Sequence, residues 1–301
     1  GLLAVLGLFV FSFVILPLLA FNLPSPDRIV RREGFSTKIL DRDGKLLYDI
    51  FADQRRTPVG LSEVPLYLRQ ATVAIEDKNF YKHQGFDPTG ILRALINTIL
   101  RGRLQGGSTL TQQLVKNVLL SSERTILRKV REFVLAVQIE RRYSKDEILQ
   151  MYLNEAPYGG TAWGVATAAE VYFGKCVCDL NLIESAVLAG FPQRPSFYSP
   201  YSSSPKAYIE RTTRVLRRMS EDGYITKDQE EKAQEELEKV QFLARGAGFK
   251  APHFVQYVQA FLEERYGQKV VEQGGLKVTT TLDLNLQEKA QSFVAEEISK
   301  V

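Results

Sequence analysis

The first 26 residues of the chain carry no charged side chain, and the run from Gly1 to Phe21 is almost wholly apolar. About 20 such residues span the hydrocarbon core of a bilayer, where a helix satisfies its own backbone hydrogen bonds. A signal peptide is the alternative, but its apolar core is usually shorter and a small-residue cleavage site follows it. The pattern therefore predicts one transmembrane helix over 1–23, with Pro17 as a tolerated kink.

The orientation of this segment is left open by its flanking charges. Arg28, Arg31 and Arg32 follow it, and by themselves they would place the following side in the cytoplasm. The chain begins with Gly rather than Met, so we expect sequence to be missing at both ends. Charges upstream of Gly1 would count equally in deciding the orientation.

A length of 301 residues suits about two domains of roughly 100–200 residues each. A DG turn between β-like runs in 37–50 predicts a hairpin within an extended linker over 24–54. Helical patterns dominate 55–245, and the clearest strand of the chain covers 276–282. We therefore predict a mostly α central domain over 55–245, and a linker with the start of another domain over 246–301.

Capping signals place several helices of the central domain. The Asp-Pro pair at 87–88 is typical of a helix start. Thr109 with Gln112 three residues later resembles a capping box, and it predicts a helix over 109–120. We expect Ser122 to cap the next helix, which would run to about Arg142.

Two carboxylates, Glu76 and Glu132, bracket the most polar motif region of the chain. Glu76 directly follows an apolar run, with Asp77 beside it and His83 and Gly85 shortly after. This position fits a general base at the wall of a cleft. A capping or ion-pair role is the structural alternative for these side chains.

The second carboxylate, Glu132, shares a helix face with Leu135 and Ile139, and Arg128 lies one turn before it. A carboxylate among aliphatic side chains must pair with a cation or have a raised pKa. The alternative to a functional role is a structural Arg128–Glu132 ion pair.

Five positively charged residues lie between these carboxylates in the sequence, after a Gly-Gly-Ser-Thr turn at 106–109. The cations are Lys116, Arg124, Arg128, Lys129 and Arg131. Together with the backbone N–H groups of the turn they suit a phosphate or pyrophosphate, although a solvated helix face is the plainer interpretation. The turn lacks the P-loop spacing, and a net charge of +4 is too small to indicate nucleic acid.

The two cysteines of the chain, Cys176 and Cys178, are separated by one residue. Metal sites usually add a second Cys/His pair, and structural disulfides usually join more distant residues. The sequence therefore favours two free thiols without a functional role.

Four motifs in order resemble those of the peptidoglycan glycosyltransferases, the membrane-bound polymerases of lipid II found at the N-terminus of class A penicillin-binding proteins. They read EDKNFYKHQGFD (76–87), GGSTLTQQLVKN (106–117), RKVRE (128–132) and KDEILQMYLN (145–154). A fifth, RTTRVLRRM (211–219), departs from the family because its opening arginine pair reads Arg-Thr. The resemblance covers roughly 55–220.

The resemblance implies a mostly α fold, with a lysozyme-like head and a smaller membrane-associated jaw after one transmembrane helix. The implied reaction transfers a growing lipid-linked glycan to the 4-hydroxyl of lipid II, with inversion, and releases undecaprenyl pyrophosphate. The implied partners are lipid II, the lipid-linked glycan, the membrane and other cell-wall synthesis proteins, without nucleic acid or an organic cofactor. The catalytic domain would lie on the outer face of the bacterial cytoplasmic membrane.

Carried onto this chain, the family's roles make Glu76 the base for the acceptor hydroxyl. Glu132 would act at the donor pyrophosphate, directly or through a divalent cation, Mg²⁺ or Mn²⁺. The other matched positions would bind the substrate, shape its pocket or support Glu76. They are Asp77, Phe80, His83, Ser108, Thr109, Gln112, Gln113, Lys116, Asn117, Arg124, Arg128, Lys129 and Arg131.

Three further expectations concern transpeptidase activity, the helix over 91–104 and the competing functions. The stretch LKVTTTLDLNLQ at 276–287 resembles the strand that leads into a transpeptidase domain, but no S-x-x-K with its companions is present, so we expect no transpeptidase activity. The helix over 91–104 suits either a membrane interface or ordinary packing. A lysozyme-like hydrolase and a non-catalytic lipid II-binding scaffold are the competing functions.

Overall fold

The computed structural model describes residues 23–26, 37–50, 57–88, 107–120, 125–160, 162–202, 204–243, 250–267, 270–271, 276–298 and 300. Nearly all of the predicted transmembrane segment, the helix expected over 91–104, Ser122 and Arg124 lie outside these residues. Among the helices that are described, none combines the length and apolarity needed to cross a membrane.

Helices dominate the described chain, which confirms the mostly α prediction. In order they are α1 (Leu66–Glu76), α2 (Leu110–Val118), α3 (Ile126–Glu140), α4 (Lys145–Glu155), α5 (Val165–Phe173), α6 (Leu182–Gly190), α7 (Pro195–Tyr198), α8 (Ala207–Glu221), α9 (Lys227–Glu236), α10 (Pro252–Tyr266) and α11 (Leu284–Ile298). The strands are β1 (Thr37–Leu40), β2 (Leu46–Ile50), β3 (Pro157–Gly159), β4 (Ala162–Trp163) and β5 (Lys277–Thr279).

The start of α2 follows its local signal. The Thr109 hydroxyl accepts the Gln112 N–H at 3.2 Å, and the Gln112 Oε1 accepts the Thr109 N–H at 3.3 Å. The predicted capping box is therefore confirmed. Ser144 and Glu147 cap α4 in the same way.

The predicted cap of α3 was wrong. This helix begins at Ile126, and its cap is Thr125, whose hydroxyl accepts the Arg128 N–H at 3.1 Å. Thr125 takes the extended backbone that a cap residue requires, so the helix starts later than the Ser122 signal indicated.

The main core forms where α1 packs against α6 and α8, while α2 packs against α3 and α4. Phe80 is fully buried in this core, with the Lys145 ammonium 4.5 Å from its ring centroid. The side-chain amide of Asn154, in the fourth motif, pairs with both backbone groups of Val59, at 3.0 Å each. The segment that leads into α1 is thereby tied to α4.

A second core forms between the predicted linker and the C-terminal region. β1 and β2 pair antiparallel as the predicted hairpin, and β5 joins β1 in parallel, giving the order β2–β1–β5. Ile39 and Leu47 of the hairpin pack with Val255 and Leu262 of α10. The hairpin and the C-terminal region therefore share one core, although the sequence predicted a linker over 24–54 and a separate linker with the start of another domain over 246–301.

The prediction of two free thiols was also wrong, because Cys176 and Cys178 are joined by a disulfide. The 3₁₀ turn Val177–Asp179 brings their Cα atoms to 5.2 Å, which is within the range that a disulfide spans. The turn thus permits a bridge that the short separation in sequence made unusual.

Candidate active site

Glu76 ends α1, and each of its carboxylate oxygens accepts one hydrogen bond from the described residues. Arg211 of α8 donates to Oε1 at 2.8 Å, and Gln113 of α2 donates to Oε2 at 2.8 Å. Only about a tenth of either charged side chain is exposed, 8% for Glu76 and 6% for Arg211. Since a carboxylate offers about four lone-pair sites, Glu76 can still accept a hydrogen bond from a substrate hydroxyl.

Arg211 is a site residue to which the sequence analysis gave no role. It opens the fifth motif, and it shares a buried face of α8 with Val215 and Met219. Burial lowers the pKa of Arg211, while the charge of Glu76 raises it. The signal that could have found it is the helical spacing, because a cation on an apolar face needs a buried partner.

Gln113 is held in turn by a tyrosine of the fourth motif. The Tyr152 hydroxyl donates to Oε1 of Gln113 at 3.4 Å, which leaves the amide N–H₂ facing Glu76. Burial, and then the charge of Glu76, raises the pKa of Tyr152 well above its usual value, so this hydroxyl stays a donor.

Asp77 and His83 form a hydrogen-bonded pair next to Glu76. The Gly85 N–H donates to Nδ1 of His83 at 3.2 Å, so the ring proton lies on Nε2. Nε2 donates to the Asp77 carboxylate at 2.9 Å, and the same carboxylate oxygen accepts the Leu110 N–H at 3.0 Å. The first motif is thereby attached to the first turn of α2.

Gly85 lies close to the backbone of α3. Its φ is +90°, and a Cβ there would lie 2.9 Å from the backbone of Ala136 and Val137 in α3. The Thr109 hydroxyl donates to the Gly85 carbonyl at 3.0 Å. Only glycine fits here, and the contact brings the first motif, α2 and α3 together.

Glu132 is enclosed by cations of its own helix. The Arg128 guanidinium pairs with Oε1, and the Lys129 ammonium lies 2.7 Å from Oε2 and 2.7 Å from the Ser108 hydroxyl. The carboxylate is 2% exposed. The Arg128–Glu132 ion pair, given above as the structural alternative to a functional role, is present, and Lys129 joins it.

The Lys116 ammonium interacts electrostatically with both carboxylates, Glu76 and Glu132. Desolvation by neighbouring residues lowers the pKa of Lys116, although part of the side chain is exposed. The charges of Glu132 and Glu76 raise this pKa, whereas those of Arg128 and Lys129 lower it further. Lys116 therefore lies within range of both acids and two other cations.

The remaining matched positions divide between support and the cation group. Gln112 is buried in its capping box, and Asn117 is half-buried on α2. In the described part of the chain, the buried Nε atoms of Arg128 and Arg131 have no hydrogen-bond partner. Such donors favour an anion near α3.

The side chains around Glu132 do not meet the ligand requirements of a divalent cation. Both carboxylate oxygens are already paired with cations, and the described residues provide no group of three metal ligands there. These side chains alone do not fit a protein-bound Mg²⁺ or Mn²⁺. That cation stays a prediction, and no chemical step is assigned to it.

Comparison with known proteins identifies the family. The model of the family described as transglycosylase matches residues 43–220. The chain belongs to the transglycosylase family. The matched range contains all five motifs, and the predicted family is confirmed.

Several curated relatives of this transglycosylase are described as penicillin-binding protein 1A. The chain is 39% identical to that of Aquifex aeolicus over 300 residues, covering 99% of the chain and 40% of the relative. It is 40% identical to that of Escherichia coli K12 over 262 residues, covering 87% and 30%. The chain thus spans less than half the length of these relatives.

A crystal structure of penicillin-binding protein 1A from Haemophilus influenzae also resembles the chain. The TM-score is 0.48 at 27% sequence identity, and the match covers 87% of this chain and 29% of that protein.

Proposed function

We propose that this transglycosylase polymerises lipid II into glycan strands. The observation that carries the proposal is the contrast between its two carboxylates. Within the described part of the chain, Glu76 is contacted by one amide and one guanidinium and keeps lone pairs without a partner, whereas both oxygens of Glu132 are paired with cations. Glu76 therefore suits proton transfer, whereas Glu132 holds the cations Arg128 and Lys129 in place.

On the acceptor side, Glu76 takes the proton of the 4-hydroxyl as that oxygen attacks the anomeric carbon of the donor. Gln113 and Arg211 hold the carboxylate in place from two sides. A general base in hydrogen-bond reach contributes about 10²–10⁴-fold to a rate. The Asp77–His83 pair supports the backbone next to it.

On the donor side, Lys116, Arg128 and Lys129 hold the pyrophosphate, and Ser108 helps to orient Lys129. A pyrophosphate leaving group needs stabilisation of its negative charge more than it needs a proton. A base on one face of the sugar and cations on the other suit inversion at the anomeric carbon.

A lysozyme-like hydrolase fits this arrangement less well. A glycosidase needs a carboxylic acid that protonates the leaving oxygen, and Glu132 is held by two cations instead. A binding scaffold would not need the two donors on Glu76. We further propose that the protein works at the outer face of the bacterial cytoplasmic membrane, where its lipid-linked substrate would be, with the apolar segment over 1–23 as its anchor.

The deciding experiment incubates the protein with purified lipid II and follows glycan length on a gel. We expect long glycan strands and release of undecaprenyl pyrophosphate. The assay is run both with and without added Mg²⁺, and the product lengths are compared. Shortening of preformed glycan would favour the hydrolase. Lipid II binding without any product would favour the scaffold.

Lys116→Ala is expected to lower the rate of polymerisation by about 10²-fold, because one cation at the developing charge is lost. The unfolding free energy should change by about 0.5 kcal/mol or less, since the side chain is exposed. Steady-state kinetics and urea unfolding measure the two effects. A stability loss that matches the activity loss would contradict the assignment.

Lys116→Arg is the matched variant, and it adds a pH signature. The protonated form of Lys116 binds the anion, and its pKa is lowered by desolvation, so kcat/KM should fall on the alkaline side at a pH below the ordinary lysine pKa. Arginine stays charged throughout, so its variant should keep activity to higher pH. Identical alkaline limbs would exclude Lys116 as the titrating group.

A further inference from the structure

The Cys176–Cys178 pair lies outside the site described above, on the turn between α5 and α6. Val177 and Leu180 of this turn are buried in the core, whereas both cysteines and Asp179 are exposed. The apolar residues anchor the turn, and it presents the two sulfur atoms to solvent.

This disulfide has little value as a structural crosslink. It encloses a single residue, and the stabilisation from a disulfide grows with the length of the loop that it closes. Exposed disulfides are the ones that external thiols reach and reduce. The Cys178 N–H donates to Sγ of Cys176 at 3.4 Å, so the turn holds a backbone donor against that sulfur.

Asp179 adds a third ligand atom beside the sulfurs. A carboxylate oxygen of Asp179 and both Sγ atoms all lie within 4.8 Å of one another. In the described part of the chain no cation pairs with Asp179, and the neighbouring Lys175 is bound to Glu184 at 2.6 Å. Two thiolates and a carboxylate suit a thiophilic divalent cation such as Zn²⁺, with a fourth position open to water.

We propose that Cys176 and Cys178 form a reversible dithiol–disulfide pair, and that the reduced pair binds one thiophilic divalent cation together with Asp179. An external dithiol supplies two electrons and two protons, the Sγ–Sγ bond breaks, and the reagent becomes its own disulfide. Metal binding then displaces the two thiol protons to solvent. The oxidised pair has no thiolate, so the disulfide excludes the metal.

The test reduces the full chain with a small dithiol, removes the reagent without oxygen, and titrates Zn²⁺ against a chromophoric chelator. We expect one Zn²⁺ per reduced chain and none on the oxidised chain. Asp179→Asn should weaken binding by about tenfold or more, and Cys176→Ser by more than that. Co²⁺ in place of Zn²⁺ should give a thiolate charge-transfer absorption, and this absorption should be weaker in both variants.

Asp228→Asn is the matched control, because it removes another exposed carboxylate, on α9, and should leave Zn²⁺ binding unchanged. Three results would overturn the proposal. The first is a reduced chain that binds no Zn²⁺. The second is a disulfide that mild reduction does not open, so that an alkylating reagent modifies neither cysteine. The third is equal Zn²⁺ affinity of Asp179→Asn and the native chain. Lipid II polymerisation is assayed separately and does not enter this outcome.

Discussion

Glu76→Gln is expected to lower lipid II polymerisation by about 10³-fold or more, because the amide cannot take the proton of the acceptor hydroxyl. The substitution should also cost about 3 kcal/mol of unfolding free energy, since it removes the charge that neutralises the buried Arg211. Polymer assays and urea unfolding measure the two effects independently.

The double variant Glu76→Gln with Arg211→Met separates chemistry from folding. Removing both charges eliminates the uncompensated cation, so most of the lost stability should return. The activity should stay absent, because no base is present. A double variant that polymerises lipid II, or a single variant within tenfold of the native rate, would exclude Glu76 as the base.

Gly85→Ala is expected to destabilise the protein by about 4 kcal/mol, the largest stability effect that we predict. The new Cβ would meet the α3 backbone at 2.9 Å, and alanine would have to adopt a φ of +90°. Neither the backbone of Ala136 nor that of Val137 can move aside as a flexible side chain would. Urea unfolding monitored by circular dichroism measures the change.

Gly223→Ala is the control for this prediction. Its φ is +77°, close to that of Gly85, but an added Cβ would have nothing within 4 Å. Only the backbone strain applies there, so we expect a loss of about 1 kcal/mol. Equal losses in the two variants would mean that the contact between Gly85 and α3 is not what requires glycine.

Several features of the site were predictable because their cause lies within one or two helical turns. The Thr109 capping box needs only two residues three positions apart, and the Arg128–Glu132 pair needs only i,i+4 spacing. The start of α3 shows the limit of such local signals. Ser122 and Thr125 are both good caps, and the local pattern does not choose between them.

The disulfide and the second core were not predictable from local pattern. A pair of cysteines separated by one residue is bridged only if the turn between them brings the Cα atoms close, and here they lie 5.2 Å apart. The hairpin looked like a linker because its partner strand, Lys277–Thr279, follows more than 200 residues later. Its apolar side chains had no visible partner until that pairing was known.

By itself the sequence indicated the helical class through periodicity and capping, and the family through the resemblance of its ordered motifs. It also singled out Glu76 and Glu132 as candidate acids. The tertiary structure decided how the acids differ. Glu76 and Arg211 are 135 residues apart, and they meet because α1 packs against α8. A charge buried by such packing must find its partner across the core, and no local pattern in the chain specifies which residue that is.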